Sequence, residues 1–254
     1  MPEGDTIFRT AEALRRRLVG KPLVEARPRG LARLAGTTIT AVEPVGKHLL
    51  VRFSSGLVLQ SHMRMNGTWH LYEPGQRWLK PERLAKAVLA TQDTVAVCFN
   101  APLVKLTRVP EVSHLGPDVL ADDFDLDLVV RRARGAPAAT IGELLLDQKV
   151  AAGIGNVFKC EALWWLRLDP WLPPDDIDDA RLAQLYATAR DFMRPNRIGL
   201  GRRFPYGDAA VHGRAGRPCR RCGSLIKARA QGELARTTYY CPACQGVRPG
   251  PQAS

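Results

Sequence analysis

The spacing of apolar residues changes period twice along this chain. Ile7, Ala11, Leu14 and Leu18 recur at helical intervals; Gly20 stops the run, and Asp5 or Thr6 stands where a cap is needed. From about residue 22 to 120 the pattern shortens. Apolar or alternating runs occupy residues 38–42, 48–53, 57–62, 67–72, 88–90 and 94–99, separated by turn residues such as Ser54-Ser55-Gly56 and Glu73-Pro74-Gly75. Short strands at this spacing predict an antiparallel sandwich or barrel. The polar stretch 76–86 reads as a loop or a short helix.

Helical spacing returns over 140–193. Ile141, Leu144, Leu145, Gln148 and Val150 belong to a first helix, ended by Ala152-Gly153-Ile154-Gly155-Asn156. A second helix follows over 157–166. A third covers 178–193, with Leu182, Leu185, Tyr186 and Ala189 on one face and Pro195 beyond its end. Residues 195–216 are rich in Gly and Arg and read as irregular. Strands around 225–230 and 234–240 then flank a turn at Gln231-Gly232.

This pattern predicts an α+β multidomain chain. A β-sandwich domain with flanking helices covers 1–121. A linker over 122–136 opens on the acidic run Asp122-Asp123-Phe124-Asp125-Leu126-Asp127 and ends at the break Gly135-Ala136-Pro137. A helical domain covers 137–212, a small hairpin module 213–246, and a disordered tail 247–254. A length of 254 residues fits two or three domains, and 45% hydrophobic residues suffice for their cores. No apolar run suits a membrane span, and residues 1–15 lack the apolar block of a signal peptide, so a cytoplasmic protein without membrane contact is expected.

Charge narrows the partners. The formal net charge is +12, which points to a polyanion, most simply nucleic acid. Between Arg194 and Arg236, eleven Lys and Arg residues face only Asp208 and Glu233, so the excess is concentrated as on a binding surface.

Four of the six cysteines form the series Cys219-x2-Cys222-x18-Cys241-x2-Cys244. Each pair presents two thiolates on a tight knuckle, and a hairpin joins the knuckles into a closed S4 site, the geometry of one structural zinc ion; iron or redox thiols are the remaining readings. Cys98 and Cys160 stand in apolar surroundings as buried thiols.

Other positions carry a chemical and a plain structural reading side by side. The start Met1-Pro2-Glu3-Gly4-Asp5 also fits an ordinary lead into a helix. If Met1 is trimmed, Pro2 becomes a secondary amine with a pKa of roughly 8, able to attack an electrophilic carbon, with the Glu3 carboxyl beside it for proton transfer. Gly153-Ile154-Gly155-Asn156 either is a plain helix-pair turn or, with Asn156 capping the next helix, binds a phosphate on free N–H groups. Lys47, after Gly46 at a strand entry, points into a cleft or ends a surface strand. In Ser61-His62-Met63-Arg64-Met65-Asn66-Gly67 an exposed Met or Arg could wedge into a base stack, although methionine is more often core. Arg236, on the second hairpin strand, either takes a phosphate or is a solvated charge.

Together and in this order, these segments resemble the formamidopyrimidine-DNA glycosylase/endonuclease VIII family. The matching stretches are MPEGDT at 1–6, GKHLL at 46–50, SHMRMNG at 61–67, HLGPDVL at 114–120, LLLDQKVAAGIGN at 144–156 and CRRCG…ARTTYYCPACQ at 219–245. The resemblance implies a β-sandwich domain and a domain with a helix–two-turn–helix and a zinc finger, with damaged double-stranded DNA in the cleft between them, and a monomer located with the nucleoid. It implies Pro2 as nucleophile, Glu3 as acid/base and Lys47 as a second essential side chain. Lys47, His62, Asn156 and Arg236 would hold phosphates around a flipped nucleotide, Arg236 belonging to the catalytic set as well. Arg64 and Met65 would occupy the wedge position. The implied activity is excision of an oxidised base with β,δ-elimination at the abasic site. Residues 100–106, Asn-Ala-Pro-Leu-Val-Lys-Leu, lack the Arg-Arg-Phe-Gly segment of the 8-oxoguanine branch, and 195–216 is too short and Arg-rich for that branch's lesion-covering loop. Both departures favour the endonuclease VIII-like branch and oxidised pyrimidines. The alternatives are 8-oxoguanine/formamidopyrimidine specificity and, from another class, a non-catalytic protein that binds damaged DNA.

Overall fold

The computed structural model describes residues 2–199 and 201–247. Removal of Met1 and disorder over 248–254 therefore concern positions outside the described residues, whereas Val247, expected in the disordered tail, is buried and its N–H donates to Pro242 O at 3.1 Å. The chain divides into two compact units between His114 and Leu115.

The first unit opens with helix α1 (Gly4–Leu18), followed by strands β1 (Glu25–Arg27), β2 (Ile39–Val45), β3 (His48–Phe53), β4 (Val58–His62), β5 (Thr68–Tyr72), β6 (Ala85–Ala90), β7 (Val95–Phe99) and β8 (Leu103–Thr107). They form two antiparallel four-stranded sheets, ordered β1-β6-β7-β5 and β2-β3-β4-β8. Alternate residues face the shared core, as strand pleating requires. Leu49, Val51 and Phe53 of one sheet and Ala87, Leu89, Ala96 and Cys98 of the other join it, with Ile7, Ala11, Leu14 and Leu18 of α1. Burial pushes the Cys98 thiol up to about 12, which makes it inert.

Strands β1 and β8 are absent from the sequence reading. Three residues of β1 are too few to show a period, and β8 pairs its whole length with β4 as an edge strand. The start of α1 also differs. Glu3, extended at φ −120°, holds the N-cap position, and its carbonyl accepts the N–H groups of Thr6 and Ile7 at 2.9 and 3.1 Å. Asp5 is buried and lies 3.5 Å from Arg9.

The second unit contains α2 (Leu126–Arg134), α3 (Ile141–Leu144), α4 (Asn156–Trp165), α5 (Asp179–Met193), the hairpin β9 (Lys227–Gln231) and β10 (Arg236–Tyr240), and the short α6 (Pro242–Gln245). Much of the expected linker 122–136 is thus helix: the Asp125 carboxylate accepts the Leu128 N–H at 2.8 Å and starts α2. The helix expected to run from Ile141 to Val150 stops at Leu144. Two side chains divert the backbone beyond it: Asp147 accepts the Lys149 N–H at 2.8 Å, and Gln148 accepts the Gly153 N–H at 3.0 Å while donating to the carbonyls of Leu146 and Ile154. Among the described residues, no helix is long and apolar enough to cross a membrane.

Candidate functional site

In the first unit, hydrogen bonds between α1 and β2 fix which end of the sheet the N-terminus reaches. Beyond the helix C-terminus, the Gly20 N–H donates to Ile39 O at 2.9 Å, and within the helix Arg15 Nη2 donates to Val42 O at 2.8 Å. Moving up α1 therefore means moving along β2 towards the Gly46–Lys47 turn. The roughly twelve residues from Arg15 back to Glu3 rise ~18 Å in a helix. The roughly five from Val42 to Lys47 span ~16 Å in a strand. The direction of α1 thus carries the N-terminus towards the hairpin end of this sheet, with Pro2 half-buried and Glu3 fully buried. Register brings His62 to the same end, because Val45 pairs with His48, His48 with His62, and His62 with Leu103.

The His62 ring packs edge-on against His48, centroids 4.7 Å apart. Burial, and then the nearby Lys47 and Arg64 cations, hold the His62 pKa below the ordinary imidazole value. His62 Nδ1 accepts the Arg64 N–H at 3.1 Å, which leaves Nε2 as the protonated nitrogen.

The turn after His62 separates its side chains sharply. Met63 is buried, whereas Arg64, Met65 and Asn66 are exposed. Gly67 permits this turn: a Cβ there would stand 2.6 Å from Met63 O and 3.0 Å from Ala101 Cα. Arg64 adopts φ 43°, a left-handed conformation rare for an arginine. The turn thus sets Arg64 and Met65 outward side by side.

In the second unit, Gly155 rather than Asn156 holds the cap position of α4. Asn156 instead donates Nδ2–H to Thr237 O at 2.7 Å, which places it beside Arg236 on β10; its Oδ1 is buried without a hydrogen-bond partner among the described residues. Farther along α4, Lys159 Nζ donates to Thr238 Oγ1 at 2.6 Å and Gln231 Oε1 at 3.3 Å, and Cys160 Sγ accepts the Tyr239 N–H at 3.4 Å. Helix α4 and β10 are therefore fastened at three successive levels, with Asn156 at one end and Arg236 exposed next to it.

The sulfurs of Cys219, Cys222, Cys241 and Cys244 all lie within 4.8 Å of one another. Cys219 and Cys244 are 3.9 Å apart, Cys222 and Cys241 3.4 Å. A tetrahedral ion with metal–sulfur bonds of ~2.3 Å needs sulfurs ~3.8 Å apart. The set can therefore hold one metal ion. It packs against α4 through Cys160, Trp164, Val211 and Ile226.

Sequence reasoning missed the residues behind these. Gln60 contacts His48 from the neighbouring strand at 3.1 Å, a pairing that only register reveals. Glu161 accepts hydrogen bonds from Tyr206 Oη and from the N–H groups of Ala210, Val211 and His212, at 2.6 to 3.0 Å. The available signal was a lysine and a glutamate inside an otherwise apolar helix, since charges buried there must be partnered.

Residues 1–103 match the family model described as formamidopyrimidine-DNA glycosylase N-terminal domain, and residues 115–198 match that described as formamidopyrimidine-DNA glycosylase H2TH domain. A Streptomyces coelicolor protein named probable endonuclease 8 2 is 40% identical, over 99% of this chain and 96% of its own. A Mycolicibacterium smegmatis protein named DNA-(apurinic or apyrimidinic site) lyase Nei2 is 36% identical, over 96% of this chain and 99% of its own. Among solved structures, Lactococcus lactis formamido-pyrimidine DNA glycosylase, non-covalently bound to DNA containing an AP site, shares the fold with a TM-score of 0.82 at 22% identity, covering 96% of this chain and all of that one. With both family models matched and relatives aligned over nearly the whole chain, it belongs to the formamidopyrimidine-DNA glycosylase/endonuclease VIII family, on the endonuclease VIII-like branch.

Proposed function

We propose that this chain, a bifunctional DNA glycosylase/AP lyase, removes oxidised pyrimidines from double-stranded DNA through an imine on the Pro2 nitrogen. The observation that supports this reading is a buried Glu3 at the start of α1, a helix that runs along β2 towards the strand end where Lys47 and His62 lie. Binding alone needs neither an amine nor a buried carboxyl group there.

With Met1 removed, Pro2 is a secondary amine, substantially unprotonated near pH 8. The target nucleotide leaves the stack, because C1′ is out of reach inside the duplex. The Pro2 nitrogen forms a bond to C1′ as the C1′–base bond breaks, the nitrogen's proton leaves with the departing base, and Glu3 supplies a proton to the sugar ring oxygen as the C1′–O4′ bond opens to the iminium. A proline iminium has no N–H proton to lose and stays cationic. It acidifies C2′; loss of that proton expels the 3′ phosphate, and a second elimination expels the 5′ phosphate. Lys47 and His62 hold phosphates beside the reacting sugar. Asn156 and Arg236 take phosphates from the second unit, and Arg64 and Met65 fill the space the base leaves.

The cysteine set holds one zinc ion in this reading. Its donors are all sulfur and already lie near tetrahedral spacing. The ion keeps the β9–β10 hairpin folded and leaves no open coordination position for chemistry. The protein works as a monomer on chromosomal DNA in the cytoplasm.

The lesion assignment is tested by single-turnover excision on duplexes that carry one oxidised pyrimidine or one 8-oxoguanine. Faster release of the pyrimidine is expected. Faster release of 8-oxoguanine would move the chain's specificity to the other branch.

A further inference from the structure

His48 lies behind His62 and is polar on a strand whose neighbours are apolar. Its surroundings determine where its proton sits. The backbone N–H of Glu111 can only donate, and it donates to Gln60 Oε1 at 2.9 Å. The other end of that amide is therefore Nε2, which donates to His48 Nδ1 at 3.1 Å. His48 consequently carries its proton on Nε2. The same logic applies to His62, whose Nδ1 faces the Arg64 N–H at 3.1 Å. Protonating either Nδ1 would set two donors against each other. The rings stand at 75° with centroids 4.7 Å apart, so a charge on one would also repel a charge on the other.

We propose that His48, held by Gln60, is a positioning residue whose ring packs edge-on against His62 and fixes it as an Nε2–H donor to a DNA phosphate. The inference rests on the reading of His62 as a phosphate contact. Its consequence is a phosphate donor held in one ring orientation. The charged and titratable groups facing the pair fit this assignment. His62 and His114 face His48, while Lys47 and Arg64 face His62. The nearby Glu111 carboxylate is occupied by Lys105. Burial, with His62 and His114, brings the His48 pKa down to about 4.

The test is long-range 15N–1H NMR of histidine-labelled full-length protein across pH 5–8, alongside affinity for an abasic duplex. Both neutral rings are expected as Nε2–H tautomers, with His62 titrating below the ordinary imidazole value. Gln60→Glu should put a carboxylate against His48 Nδ1, charge that ring near neutral pH, and make DNA affinity more pH-dependent than in the parent. His48→Phe should weaken affinity about five- to tenfold, the loss of roughly one hydrogen bond's orientation, with the elimination rate at saturation unchanged. An Nδ1–H tautomer on either ring, titration near 6.5, or undiminished affinity in His48→Phe would overturn the proposal. His62→Ala separates the two readings. If its affinity and salt slope match the parent, the phosphate role of His62 fails, and the proposed role of His48 in DNA binding fails with it. If His62→Ala weakens binding while His48→Phe does not, only the positioning role fails.

Discussion

Glu161 shows how much one side chain can organise. Its carboxylate is fully buried at the middle of α4 and accepts three consecutive backbone N–H groups, from Ala210, Val211 and His212, as well as the Tyr206 hydroxyl. Glu161→Ala would leave two buried donors, the N–H groups of Ala210 and Val211, unpaired, each worth about 1–3 kcal/mol, so a loss of ~2 kcal/mol or more is expected from denaturant unfolding. A loss below ~1 kcal/mol would mean that water replaces the carboxylate. Arg236 makes a different kind of contribution, at the surface. Arg236→Ala should weaken binding to every DNA sequence and flatten the salt dependence by about 0.9 for one lost phosphate contact; an unchanged slope counts against that contact. At this scale the sequence was legible wherever chemistry depends on local spacing. The four cysteines are the clearest instance, because two knuckles and a hairpin loop suffice to bring them together. The partners Gln60–His48, Glu161–Ala210 and Asn156–Thr237 were not legible, since they depend on strand register and on how a helix lies along a hairpin.

Elements follow the same division. Strand β3 was read at its observed bounds, because hydrophobic residues run through it and turns close both ends. Helix α5 was read within a residue of its observed start, since Asp178 caps it by accepting the Arg181 N–H at 2.7 Å. The region after α3 was misread because the carboxylate and amide of Asp147 and Gln148 compete with helical hydrogen bonding, which an apolar period cannot reveal. The cap of α2 is testable in the same terms: Asp125→Ala should cost ~1 kcal/mol, measured by thermal unfolding, and no change would remove the cap from the account. The hairpin offers a larger test. Because α4 grips β10 through Asn156, Lys159 and Cys160, loss of metal should loosen Arg236 while the first unit keeps its core. Metal analysis should find one zinc ion per chain. Chelation should reduce DNA affinity with little change in the secondary structure of the first unit. Chelated protein that binds DNA as tightly as before would contradict a structural role for the metal.

Across the whole molecule, charge governs encounter and protonation governs stability. A net charge of +12 should make association with DNA fast and strongly salt-dependent. Two histidines set an acid limit. Burial is the main cause that lowers both His48 and His212 to about 4. In the unfolded chain they bind protons near 6.5, so the stability of their neutral forms is complete above that pH and is lost progressively as pH falls towards 4. The unfolding midpoint should therefore decline on acidification through this window; a flat profile would show the two rings to be solvated. The central claim concerns Pro2, and one measurement addresses it directly. Protein of confirmed N-terminal mass is incubated with abasic duplex DNA and borohydride, and the adduct is mapped by mass spectrometry. The account predicts a covalent adduct on the Pro2 nitrogen that is absent from protein retaining Met1 and sharply reduced in Glu3→Gln. Tight binding without an adduct, from protein shown to lack Met1, would contradict it and leave a binder of damaged DNA.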